Sequence, residues 1–148
     1  MKTILPSDRT AIIGVIDPDA NAAGTLTTAW IDMSIFNAVM AIVMAGTLGA
    51  AATLDAKFQQ ATDSAGTGVK DITGKAITQL TQAGVDSDKQ AIINLFAEEL
   101  DVTNNFTHVR LSMTTAVAAS DSGALVLGSL ERYGPASAND LASVDEIV

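Results

Sequence analysis

Cysteine is absent from the sequence, which excludes both a disulfide framework and a thiolate metal site. Stability must then come from packing and hydrogen bonds, with oligomerisation as a further source open to the chain. Basic residues are scarce, with eight Lys and Arg against 17 Asp and Glu and a net charge of −9. The eight are scattered, so no basic patch exists to meet phosphate, and no nucleic-acid partner is expected. Charged residues of both signs reach only 17%, below the roughly 25% of an ordinary soluble domain, and aromatics only 4%. The apolar content, 48% of the chain, is therefore carried by Ala, Val, Ile and Leu. A surface so poor in charge suits burial against a partner.

Catalytic groups are equally sparse. The single histidine, His108, falls at an outward position of an alternating segment, and no Gly-x-Ser-x-Gly elbow occurs. Asp17-Pro18-Asp19-Ala20-Asn21 opens like a calcium loop, but Ala22 stands where the sharp turn needs Gly and Thr28 where a bidentate Glu belongs. Glu98 and Glu99 are adjacent, so on a strand they point to opposite faces and do not converge. Gly66-Thr67-Gly68-Val69-Lys70 lacks the ending of a phosphate loop and reads as a flexible turn. Trp30 shares parity with Leu26 and reads as a core or interface anchor. No enzyme activity, metal or cofactor is expected.

No long helix-like apolar run with basic flanks marks a membrane span. Residues 35–54 are apolar over nearly the right length, but Asn37, Gly46, Thr47, Gly49 and Thr53 interrupt them. They read instead as two buried strands meeting at Gly46-Thr47-Leu48-Gly49, and no membrane partner is expected. The first residues, Met1 to Ser7, hold one Lys and no apolar run, unlike a secretory signal.

What the sequence does contain is period-2 alternation between turn signals, the mark of half-buried strands. Strands are predicted at Ala11–Ile16, ending in a turn at Asp17-Pro18-Asp19, and at Thr25–Asp32. Phe36–Ala45 is apolar on both faces, which a central position in a sandwich would explain. Thr53–Gln60 places Leu54, Ala56 and Phe58 inward and Asp55, Lys57 and Gln59 outward. A short strand around Val69–Ile72 and a turn at Gly74 precede another at Ala76–Gln82. Gln90–Leu100 also suits a helical face, but the β-branched pair Ile92-Ile93 and the neighbouring strands decide for a strand. Thr107–Val117 turns Val109, Leu111, Met113 and Val117 inward, and Ala124–Tyr133 closes the body. About eight strands without βα alternation imply an all-β, two-sheet sandwich of jelly-roll type. The chain divides into an N-terminal arm (residues 1–10), a sandwich body (11–133) and a C-terminal arm (134–148).

Thr53-Leu54-Asp55-Ala56-Lys57-Phe58-Gln59, then Ile72-Thr73-Gly74 and Ile77-Thr78-Gln79-Leu80-Thr81, resemble a pattern in small structural proteins of tailed bacteriophages and prophages. Phe106–Leu111 and Ala124–Leu127 are similar to the closing strands of that group. The resemblance spans roughly residues 30–135 and implies a jelly-roll capsid decoration, or cement, protein. It further implies a place on the virion's capsid surface, the major capsid protein as partner, and a homo-oligomer, dimer or trimer. On this reading Met1, Ile4, Leu5, Leu141, Val144, Ile147 and Val148 are the candidate contacts with neighbouring subunits. The alternatives are a head–tail connector, tail-tube or head-fibre subunit, and a carbohydrate- or ligand-binding module using Trp30 and Tyr133.

Overall fold

The computed structural model describes residues 4–148. Its body is a sandwich of two antiparallel sheets. One holds β1 (Thr10–Asn21), β10 (Ser120–Glu131), β4 (Phe36–Ala45) and β8 (Gln90–Phe96), in that order. The other runs β2 (Gly24–Thr27), β9 (His108–Ala116), β5 (Thr53–Ala61) and β6 (Lys70–Ala76), with the two-residue β3 (Ile31–Asp32) on β9 and β7 (Leu80–Thr81) on β5. Counting β3 with β2 and β7 with β6 leaves eight principal strands in jelly-roll order. The first strand therefore pairs with the last.

The core lies between the sheets. Phe36, Val39, Ala41 and Val43 from β4 and Leu95 from β8 face Leu54, Phe58, Val109, Leu111 and Met113 from the other layer, all nearly inaccessible to solvent. Val126 and Ala124 of β10 join them. The inward sets expected for β5 and for Val109, Leu111 and Met113 are found as read.

Several boundaries differ, each for a local reason. β1 does not stop at Asp17-Pro18-Asp19; it continues to Asn21 through a register shift between Ile16 and Asp19. Pro18 is tolerated because β1 is an edge strand, where a missing N–H breaks no ladder. The expected Thr25–Asp32 strand is split, because Thr28 pairs with Leu111 while Ile31 pairs with Val109, leaving one extra residue. That bulge reverses parity, so Trp30 sits on the outer face beside Arg110 rather than in the core. Gly74 makes no turn between strands; with φ +76 it bulges inside β6, a conformation that favours glycine. The Gln90–Leu100 segment is a strand to Phe96, then a 3-10 turn at Ala97–Glu99, so Glu98 and Glu99 are not strand residues. Val117 is not inward: it is 71% exposed, with φ +72. Residues 46–52 link β4 and β5 across the two sheets and do not form a hairpin between neighbours. Among the described residues no helix is long and apolar enough to cross a membrane.

Both ends of the described chain fold onto the body before they project. A four-residue helix, α1 (Pro6–Arg9), leads into β1. A 3-10 turn at Ala136–Asn139 buries Ala136 completely. Beyond it, Asp140 accepts a hydrogen bond from the Ile12 N–H at 2.6 Å, and the Leu141 N–H donates to the Ile12 carbonyl at 2.9 Å.

Candidate assembly interface

A two-layer sandwich buries one face of each strand, so a strand apolar at both parities must present the second face outside. Phe36–Ala45 was expected to be central for this reason. It is central within its sheet, between β10 and β8, yet its second face points away from the core. Met40, Ile42 and Met44 lie there. The ladder registers set Ile42 beside Leu125 and Ile92, and Met40 beside Leu127. β1 adds Ile12 opposite Leu127 and Val15 opposite Leu125. Phe96, 48% exposed, and Ile92, 58% exposed, extend the layer across β8.

Only uncharged side chains line this face from Thr10 to Val15, Ala38 to Met44, Gln90 to Phe96 and Leu125 to Ser129. At one end, where Gly123 offers no side chain, it dips into a groove of about 700 Å³ lined by Val15, Pro18, Met44 and Leu125 among others. Asp17, Asp19 and Asp121 stand around that end, exposed.

Away from this layer the surface is polar, and four of its lysines are paired with carboxylates of the chain. Lys57 binds Asp71 at 2.6 Å, Lys75 binds Glu99 at 2.7 Å, Lys89 binds Asp86 at 2.7 Å, and Lys70 pairs with Asp101. These contacts hold the acids below the usual carboxylate range. For Asp71 the hydrogen bond from Lys57 dominates and Gln59 adds to it; for Glu99 it is Lys75, then the Phe96 N–H. For Asp86 the order is Lys89, then the Thr81 N–H, and for Asp101 it is Lys70, then Asn104. Arg110 donates to Gln59 at 3.0 Å while its guanidinium stacks 4.6 Å from the Trp30 ring centre. Gly66 closes on the indole edge so tightly that a Cβ there would lie 2.8 Å from Nε1. His108 takes part in a hydrogen bond with the neighbouring Thr107 hydroxyl at 2.9 Å.

The terminal residues singled out from the sequence fall in distinct places. Ile4, Leu5, Ile147 and Val148 are exposed, whereas Leu141 and Val144 are half-buried against their own chain. Met1 lies outside the described residues. The structure brings together a larger surface that the sequence reading missed, the outer layer of β1, β10, β4 and β8. Its signal was present in Phe36–Ala45, in the adjacent Ile92-Ile93 and in Ala124-Leu125-Val126-Leu127, each apolar at both parities.

The strand order defines a jelly-roll sandwich whose β1, β10, β4 and β8 sheet carries an uncharged outer layer. No family model matches the chain, and no curated protein matches it. Solved structures similar to it include chains of several viruses, a xylan-binding domain from Paenibacillus barcinonensis and a subunit of Bacillus endospore appendages. A chain of the infectious bursal disease virus VP2 subviral particle is 18% identical over 88% of this chain and 35% of its own, with a TM-score of 0.48. A chain of broad bean stain virus is 10% identical over 89% of this chain and 90% of its own, with a TM-score of 0.47. For the Gt strain of infectious bursal disease virus the values are 14%, 87%, 33% and 0.44. This chain thus spans about a third of the bursal disease virus chains it matches. Likeness at this level concerns the fold alone.

Proposed function

We propose that this chain is a non-enzymatic structural protein of a virion, a decoration protein bound to the outside of a tailed-bacteriophage capsid shell. There it bridges neighbouring major capsid subunits and braces them against internal pressure. The observation that carries the reading is the uncharged apolar layer outside β1, β10, β4 and β8, on a body whose core is already complete without it. Monomeric soluble proteins rarely leave so continuous an apolar surface in water. The strand pattern shared with small tailed-phage proteins supports the choice of particle, and the exposed Ile4, Leu5, Ile147 and Val148 supply further contacts at the chain's two ends. Repetition over a shell multiplies a modest contact many times. The sugar-binding alternative receives less support, since Arg110 covers one face of Trp30.

The test is the protein content of purified particles from the source of this gene, with readdition to emptied, expanded shells. A fixed ratio to the shell protein and a raised rupture temperature are expected. Particles that lack the chain, or shells that bind none of it, overturn the proposal.

A further inference from the structure

We infer that the occupant of the outer face of β1, β10, β4 and β8 is a second copy of this chain, packed sheet on sheet about a two-fold axis. The inference rests on reading that face as an assembly surface; with a copy seated there, contact with the shell falls to the exposed Ile4, Leu5, Ile147 and Val148.

Three observations select a copy over an unlike partner. First, the face carries no ionisable group from Ile12 to Val15, Met40 to Met44 or Ile92 to Phe96, so it asks its partner for flat apolar surface alone, which a copy supplies. Second, its size is right. The whole sheet, strands of 12, 12, 10 and 7 residues with their charged ends as a rim, covers roughly 650 Å² in projection at about 3.3 Å rise and 4.8 Å spacing, of which the uncharged stretches make up about 400 Å². Side-chain relief enlarges the whole toward the roughly 800 Å² per partner of a standard interface. Third, the charges around the face suit one two-fold arrangement. Asp17, Asp19 and Asp121 cluster at one end of the strands, while Arg9 and Arg132 stand at the other, interspersed with Asp8, Glu98 and Glu131. An axis lying in the interface and perpendicular to the strands sets the acidic end of each copy over the Arg-bearing end of its mate. An axis along the strands would oppose acid to acid.

In this dimer the four layers form one stack, with Ile42 and Leu125 near its centre and Ile92 toward its margin. The exposed terminal residues are left free for other partners.

Sedimentation equilibrium of the purified chain at roughly 10 to 100 μM tests the inference. The expected mass is twice 15.2 kDa. Ile42→Lys, at the centre, weakens association by at least about 30-fold, as a central hot spot does. Ile92→Lys, at a position 58% exposed in the monomer, weakens it by about 10-fold while circular dichroism stays unchanged. Should Ile42→Lys fail to fold, Ile92→Lys decides. A monomer at the highest concentration, a trimer, or a dimer indifferent to Ile92→Lys overturns the inference. A dimer that binds no shell keeps it and removes the decoration role; a monomer that binds shells does the reverse.

Discussion

At position 28 a hydroxyl stands in for a backbone carbonyl. The bulge between β2 and β3 takes the usual ladder acceptor away from the Leu111 N–H, which donates instead to Thr28 Oγ1 at 3.0 Å, while that hydroxyl donates to the Ala29 carbonyl. Both Thr28 and Leu111 are buried, so no water can replace the bond. Thr28→Val keeps the shape and orphans the amide. It is expected to destabilise the fold by about 1–3 kcal/mol in urea denaturation, whereas Thr28→Ser retains most of the stability. Val117 poses the opposite case: a β-branched residue held at φ +72 with its side chain in solvent. Left-handed backbone costs such a residue roughly 1–2 kcal/mol, and asparagine adopts it more readily. Val117→Asn should therefore raise the melting temperature by about 2–4 °C. Neither position was legible in the sequence. Thr28 is one threonine among many, and Val117 continues the inward parity of Val109, Leu111 and Met113 until the backbone reverses it.

Strands whose two faces differ in polarity were read correctly, because alternation fixes register without knowledge of the partner; Thr53–Ala61 and His108–Ala116 are the clear examples. Misreadings gathered where backbone irregularity breaks parity, at Pro18, Ala29 and Gly74, and where both parities are apolar. In the second group the pattern showed two dry faces and left open which was core. Ion pairs add a pH dependence at this scale. The lowered values of Asp71, Asp86, Glu99 and Asp101 mean that folding favours their charged forms. The associated stability is present above the ordinary carboxylate value of about 4 and is lost as pH falls through the lower folded values. Exposed pairs contribute little each, so a shallow fall in melting temperature is expected below about pH 4, and Lys57→Met should flatten it further. The C-terminal segment is predicted to act in two parts. Removing residues 142–148 leaves the melting temperature nearly unchanged. Cutting at Gly134 instead uncovers the edge of β1, strips Ala136 and the Asp140 bond to Ile12, and lowers stability by about 2–4 kcal/mol.

For the whole molecule, strand count and turn spacing point to a jelly-roll type, while the order and pairing of the strands show only in three dimensions, since contacts between distant segments leave no local trace. Those distant pairings govern how the protein forms. Sheets dominated by non-local contacts fold in milliseconds to seconds, and refolding by stopped flow is expected to be slow for a chain of this length. The neighbours of β10 are β1 and β4, so both gaps in its sheet stay open until the final strand arrives. On the ribosome, a chain that has emerged only as far as β9 has its first strand waiting and no continuous outer layer. In the proposed dimer Leu125 and Leu127 take their places only with β10, so an unfinished copy lacks the middle of its contact face. Closure of this sheet and the appearance of that layer are one event, and a chain cut before β10 is expected to stay unable to pair.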